Sequence, residues 1–260
     1  LGKAALAGLV IIAMVSGAFL FGRLYLRVTV TKPAFGGTYR EGLLKEPRFI
    51  NPIYASFNDT DRDITQLVFS GLIRYTPSGE VEPLLAETIE VGEDGKSYQV
   101  RLKEGLFWHD GEPLDADDVL FTIKTIQNQE FKSPFRPNWQ GVLMDKLDER
   151  TIKFVLKQPY APFIENLTIG IMPEHLWARI SPQSAQLSDL NLKPVGSGPY
   201  RFQSFTRLPD GSITSYTLSA FRHFPPGRPH IKEIIFMFYP SEAEMIAGFL
   251  TSKTRHGFIA

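Results

Sequence analysis

The stretch from residue 71 to residue 122 constrains the fold of this chain more than any other. An apolar element and two turns lead into residues 98–102, where apolar side chains alternate with polar ones. Alternation with a period of two is the pattern of a strand that buries one face. After an aromatic-rich loop, Asp115 and Asp118 are spaced as a capping box before an apolar stripe, which predicts a helix. This order of elements favours an α+β architecture.

Other segments carry similar patterns. Residues 152–156 repeat the alternation and predict a second half-buried strand of a mostly antiparallel sheet. Asp59 to Asp63 offer several N-cap candidates for an amphipathic helix, and residues 36–42 suit a first strand. The apolar run Ile231–Tyr239 predicts a central strand, and Ser241 then starts a capping-box pattern for a last helix.

Composition excludes several classes of function. The chain has 260 residues, 43% of them hydrophobic and 22% charged, so a folded globular protein is expected. The formal net charge is zero, so the chain does not have the excess of positive charge that is typical of a nucleic-acid-binding protein. Cysteine is absent, and this excludes a disulfide framework, a thiol nucleophile and a Cys-ligated metal site.

An uncharged stretch runs from Ala4 to Gly22. At about 1.5 Å per residue it is just long enough to cross a hydrocarbon core of about 30 Å. A cleavable signal peptide and a buried soluble helix are the alternatives. Residues 1–27 are therefore predicted to be a transmembrane anchor or a signal segment that meets the membrane through residues 4–22. Residues 28–35 are predicted to be a linker.

The sequence shows no catalytic or metal-binding constellation. The Trp108–Gly111 segment contains adjacent His and Asp residues, but no His-x-x-x-His spacing supports a metal site, so a structural turn is expected. The aspartates between residues 115 and 118 lack the spacing of a calcium loop and are interpreted as helix caps. Gly196–Pro199 lacks the continuation of a phosphate-binding loop and is interpreted as a flexible backbone near a crossover. We expect neither an enzyme nor a cofactor.

Short motifs follow one another in a fixed order: Gly71-Leu72, Pro83–Ala86, Asp94-Gly95, Trp108–Gly111, Ala116–Val119, Pro159–Phe163, Met172–His175, Pro194–Phe202 and Pro226–Ile231. In this order they resemble the N-terminal lobe of the extracytoplasmic solute-binding proteins of peptide-type ABC importers (family 5, similar to oligopeptide- and dipeptide-binding proteins). The resemblance covers most of the chain after the apolar stretch.

The resemblance implies a lobe of the type II, cluster C periplasmic-binding-protein-like fold, with a mixed sheet preceded by one transmembrane helix. Residues 36–48 and 190–260 would form the incomplete core subdomain of the first lobe, and residues 49–189 an inserted α+β subdomain. The second lobe of the family is missing here, which is interpreted as a fragment or an interrupted reading frame.

The resemblance also implies a function. The chain would be the substrate-binding subunit of an ABC importer, held at the cell membrane on the extracytoplasmic side, with a peptide ligand and permease subunits as partners. A membrane-anchored receptor that kept the fold, and a family member for oligosaccharides or nickel complexes, are the alternatives. The family's peptide-facing segment matches Phe57, Asn58 and Asp59, and its loop aromatic matches Phe135, with Trp139 nearby. Ordinary core or rim packing is the alternative for each aromatic residue.

Overall fold

One long helix, three β-sheets and several shorter helices make up the described part of the chain, which in this computed structural model is residues 2–28, 34–55 and 58–250. Residues 1–34 form one compact unit and residues 35–260 a second. The helices are α1 Gly2–Val28, α2 Asp59–Val68, α3 Ala116–Gln127, α4 Arg136–Trp139, α5 Phe163–Asn166, α6 Glu174–Trp177, α7 Pro182–Ala185 and α8 Glu242–Leu250. The strands are β1 Gly36–Leu44, β2 Ile73–Tyr75, β3 Val81–Pro83, β4 Ala86–Val91, β5 Ser97–Leu102, β6 Leu143–Asp148, β7 Thr151–Val155, β8 Tyr200–Arg207, β9 Ile213–Ala220 and β10 Ile231–Tyr239.

Helix α1 contains the predicted apolar segment. Its residues Leu6–Arg23 are long and apolar enough to cross a membrane, a property that signal sequences near an N-terminus share. Of the predicted linker, residues 29–33 lie outside the described residues.

The first sheet is mixed, as predicted, with the strand order β1-β10-β9-β8. Strand β1 runs parallel to β10, with Gly36 opposite Ile231 and Leu44 opposite Tyr239, and the other neighbours are antiparallel. Helix α2 packs on this sheet because its apolar face fits the inward side chains of the strands. The cluster buries Ile64, Val68, Tyr200, Tyr216, Leu218, Ile234 and Phe236.

The second sheet is antiparallel, with the strand order β4-β5-β7-β6. Its central strands β5 and β7 match the alternating segments of the sequence, so both strand predictions are confirmed. Helix α3 covers the sheet, and the Asp115–Asp118 capping box is present in full. The core here includes Val100, Trp108, Ile123, Ile152, Phe154 and Phe163.

The two four-stranded sheets draw on different stretches of the chain. The first sheet uses residues 36–44 and 200–239, and the second uses residues 86–155. The last helix, α8, follows Ser241, whose Oγ accepts a hydrogen bond from the Glu244 backbone N at 3.3 Å, as the sequence pattern predicted. The exact division into a core subdomain and an inserted subdomain stays a prediction.

Candidate ligand-binding site

A cleft of about 420 Å³ lies along one side of helix α2, and we call it the helix cleft. Aromatic side chains form much of its wall, and amides and charged groups stand at its rim. It is lined by Pro52, Ala55, Arg62, Thr65, Gln66, Phe69, Tyr75, Phe135, Asn138, Trp139, Glu165, Asn166, Thr168, Ile169 and Gly170. A concave aromatic wall with a few polar groups is the usual composition of a site for a small organic ligand.

Two predicted site residues, Phe135 and Trp139, meet in the helix cleft. Trp139 is only 1% exposed. Its ring packs edge-on against Phe163 at 5.5 Å between centroids and lies 5.9 Å from Phe154. Phe135 is half-buried and packs against the same core. Trp139 is therefore the rear wall of the cleft, and Phe135 is the aromatic side chain with more surface for a ligand.

A second cavity of about 840 Å³ lies at the carboxyl ends of the parallel strands β1 and β10, and we call it the strand-end cleft. Ligands of open α/β sheets commonly bind at this end of parallel strands. It is lined by Lys45, Glu46, Arg48, Phe49, Asn58, Leu208, Ser212, Ile213, Thr214, Phe238, Tyr239, Pro240 and Glu244.

The chain leaves β1 through a tight bend at the strand-end cleft. Lys45 has a φ of 74°, in the left-handed region that side chains other than glycine rarely adopt. Its backbone N donates to the Tyr239 carbonyl at 3.2 Å, and the Thr60 hydroxyl donates to the Leu44 carbonyl at 3.1 Å. These bonds hold the end of β1 against both β10 and the start of α2.

A buried carboxylate, Asp61, connects this bend to helix α2. It accepts hydrogen bonds from the Arg48 backbone N at 2.7 Å and from the Asn58 side-chain amide. Burial raises the pKa of Asp61, while the hydrogen bonds from Arg48, Phe49 and Asn58 act in the opposite direction. Sequence reasoning missed Asp61, although an Asn followed three residues later by an acid resembles a capping box.

The remaining predicted residues lie at the start of α2. Asn58 is its N-cap, one residue before the predicted range, and its Oδ1 accepts from the Asp61 backbone N at 2.7 Å. Asp59 is exposed and pairs with Arg62 at 2.9 Å. Phe57 lies outside the described residues. Asn58 lines the strand-end cleft and not the helix cleft, so the structure does not bring it together with Phe135.

Replacing Asp61 with asparagine should destabilise the protein. The side-chain NH2 group of asparagine cannot accept the hydrogen bonds that the carboxylate now accepts. Buried donors would therefore be left without an acceptor. We expect the free energy of unfolding to fall by about 2 kcal/mol. Urea denaturation followed by circular dichroism measures this. Asp59→Asn is the matched control, and its exposed position should limit the change to about 0.5 kcal/mol; equal losses for the two variants would contradict the role assigned to Asp61.

The predicted turn at Trp108–Gly111 is confirmed, and it docks on the Gly196–Gly198 segment. Gly111 N donates to the Trp108 carbonyl at 3.0 Å. The His109 ring accepts from Gly196 N at Nδ1 (3.2 Å) and donates from Nε2 to the Gly198 carbonyl (3.0 Å), which defines a neutral tautomer. Burial lowers the pKa of His109 to about 4.

Within residues 2–28, 34–55 and 58–250, one group of acidic side chains has the spacing of a metal site. Carboxylate oxygens of Asp115, Asp117 and Glu149 lie within 4.8 Å of one another. The Lys146 ammonium donates to Asp117 at 2.7 Å and to Glu149 at 3.0 Å. The Lys146 ammonium therefore compensates part of this negative charge, and Asp115 caps α3.

Comparison with known proteins gives the family. The profile of bacterial extracellular solute-binding proteins, family 5 Middle, matches residues 80–254. The chain is 27% identical over 220 residues to the oligopeptide-binding protein AppA of Bacillus subtilis, covering 83% of this chain but 39% of AppA. It is 30% identical over 185 residues to the dipeptide-binding protein of Escherichia coli, covering 62% of this chain and 33% of that protein.

Solved structures of the same fold carry different ligands. The AppA structure in complex with a nonapeptide matches with a TM-score of 0.78 and 26% identity, covering 85% of this chain and 44% of AppA. NikZ of Campylobacter jejuni, in complex with Ni(L-His), matches with a TM-score of 0.72 and 26% identity, covering 86% of this chain and 43% of NikZ. The chain thus spans less than half the length of these relatives. It belongs to the family 5 bacterial extracellular solute-binding proteins.

Proposed function

We propose that this chain is part of the substrate-binding subunit of an ABC importer and captures oligopeptides outside the cytoplasm for delivery to a permease. The observation that carries the proposal is the helix cleft, with its aromatic wall and polar rim. The oligopeptide-binding and dipeptide-binding relatives support the same ligand class.

The chemistry of the helix cleft suits a peptide of variable sequence. Gln66, Asn138 and Asn166 place side-chain amides at its rim, and amides can pair with the carbonyls and N–H groups of any peptide. Phe135 and Tyr75 offer apolar surface to side chains without demanding one shape. The volume of about 420 Å³ is in the usual range for small-ligand pockets.

We further propose that residues 36–48 with 190–260 and residues 49–189 act as the two subdomains of one lobe, and that ligand closes this lobe against a second one. Hinge closure around a ligand is the usual motion of such binding proteins. The apolar helix, through residues 4–22, would hold the protein at the membrane on the extracytoplasmic side.

Two other functions remain candidates for the same fold. NikZ holds Ni(L-His), so a small metal complex is a second class of ligand for this architecture. A membrane-anchored receptor without transport is the third reading. These readings differ in what the purified protein carries, which native mass spectrometry can distinguish.

The first test is native mass spectrometry on the protein produced from its full natural reading frame. A spread of peptide masses released on denaturation would support an importer of oligopeptides with loose sequence preference. A single small mass would keep the family and replace the ligand class. A protein that carries nothing and ignores added peptides would favour the receptor.

A variant test addresses the cleft itself. Phe135→Ala should weaken binding of tetra-alanine, measured by calorimetry, by about tenfold, because a buried aromatic contact is removed. Phe131→Ala is the matched control, since Phe131 also packs half-buried against the core but does not line the helix cleft. Equal affinities for the two variants would remove Phe135 from the site.

A further inference from the structure

A basic depression of about 660 Å³ lies at the end of the first sheet where β8 and β10 begin, and it shares no lining residue with either cleft. Four cationic side chains and one carboxylate, Asp110, line it, in a chain whose formal net charge is zero. We call it the basic surface, and its cations are Lys193, Arg201, Arg228 and Lys232.

Most of this positive charge is not neutralised by neighbouring acids. Asp110 already accepts from the His175 ring at 2.8 Å. Lys193 lies 3.6 Å from Asp189, whose side chain is 89% exposed, so that pair is weak. Within residues 34–55 and 58–250, Arg201, Arg228 and Lys232 form no ion pair.

The basic surface surrounds the point where the chain enters β1. The Arg228 guanidinium lies 3.4 Å from the centroid of the Phe35 ring, and Gly36 N donates to the His230 carbonyl at 2.8 Å. Lys232 is the second residue of β10. Since β1 and β10 are parallel, both strands run from the basic surface towards the strand-end cleft, a distance of about 26 Å for the nine residues of β1.

We propose that the basic surface binds the anionic headgroups of membrane phospholipids. This rests on the membrane-held form proposed above, since only residues 29–35 separate α1 from β1 in the sequence, and seven residues span at most about 25 Å. Each lysine or arginine near an anionic membrane strengthens the binding of a protein to that membrane by about fivefold, and salt screens the attraction. Bound in this way, the lobe presents its strand-end cleft away from the lipid.

None of the 260 residues is a cysteine, so a single thiol can be introduced at a chosen position. Gln203→Cys places one thiol on the basic surface, and Leu208→Cys places one at the strand-end cleft as the matched position. Each carries a fluorescent dye and is reconstituted in phosphatidylcholine vesicles, with or without phosphatidylglycerol, that contain a headgroup-attached quencher. We expect phosphatidylglycerol to increase quenching at residue 203 several-fold and to leave residue 208 unchanged.

Charge variants test the cause. The triple variant Arg201→Gln, Arg228→Gln, Lys232→Gln should abolish the increase at residue 203, as high salt should. The control Lys96→Gln, Lys153→Gln, Lys157→Gln removes equal charge from residues that do not line the basic surface and should have no effect. Equal quenching at residue 203 with and without phosphatidylglycerol would overturn the proposal.

Two further arms separate the possible failures. Alkaline extraction reports whether α1 holds the protein in the vesicle. If α1 does not hold it, the labelled protein is added to preformed vesicles. Binding that needs the three cations then still supports the proposal, whereas no binding overturns it. If millimolar inorganic phosphate binds without vesicles and abolishes the quenching, the surface is a site for free phosphate and the lipid proposal is wrong.

Discussion

Replacing Gly196 with alanine is expected to destabilise the protein by more than about 4 kcal/mol, which approaches the whole stability of a typical domain. A Cβ at residue 196 would lie 1.9 Å from the Val68 carbonyl oxygen at the end of α2. The obstacle is backbone, so no side-chain rotation relieves it. Gly198, whose N donates to the same Val68 oxygen at 2.8 Å, shares this close packing.

Urea denaturation followed by tryptophan fluorescence measures the loss. Gly79→Ala is the control, because its φ of +83° is strained for alanine but no atom lies within 4 Å of the new Cβ, so about 1 kcal/mol is expected. Should Gly196→Ala fail to accumulate, Ser197→Ala is a milder variant of the same segment. It removes only the weak 3.4 Å hydrogen bond that Ser70 N donates to the Ser197 hydroxyl. A loss at Gly196 no larger than at Gly79 would refute the close-packing account.

The second large effect concerns pH and two buried groups with opposite behaviour. Burial lowers the pKa of His109 from 6.5 to about 4, so the unfolded chain binds the extra proton between these values and stability falls as pH falls. Burial raises the pKa of Asp118 from 3.8 to about 6, so the folded protein binds the extra proton and stability rises as pH falls. Each contribution is about 3 kcal/mol, and between pH 4 and pH 6 they nearly cancel.

Single variants should reveal the hidden contributions. In His109→Gln, which keeps a donor for the Gly198 carbonyl, stability should increase by about 2 kcal/mol as pH falls from 6 to 4, because part of the Asp118 contribution lies outside this interval. In Asp118→Asn the stability should decrease by a similar amount over the same pH range. This variant should also be less stable than the parent at neutral pH, because Trp108 Nε1, Asp115 N and Glu174 N donate hydrogen bonds to the Asp118 carboxylate. Thermal unfolding at several pH values gives the slopes. Parallel slopes in the two variants would contradict the assignment.

Local patterns in the sequence predicted local structure well. Strands β5 and β7 and the capped helix α3 are read from neighbouring residues, because side-chain alternation and capping are short-range effects. The mixed first sheet followed from the family resemblance. The parallel partner of β1 could not be read from periodicity, because Thr38 lies opposite Glu233, far along the chain.

The site was predicted less completely than the fold. Phe135 lines a cleft, but Trp139 is almost wholly buried and Asn58 lies at a different cleft. The glycines at 196 and 198 were interpreted as sources of backbone freedom, yet both have φ angles outside the left-handed region. They are needed for close approach to α2, a contact between segments distant in sequence that no local pattern reports.

The pairing of β1 with β10 also sets the order in which the protein can fold. The neighbours β4 and β5, and then β6 and β7, are close in the chain and can pair as soon as they are synthesised. Strand β1 cannot complete its pairing with β10 until residue 239 has been synthesised. Until then its unpaired N–H and C=O groups can form hydrogen bonds with strands of other chains. A ribosomal pause before β10, or truncation there, should therefore produce aggregates seeded by the first strand made.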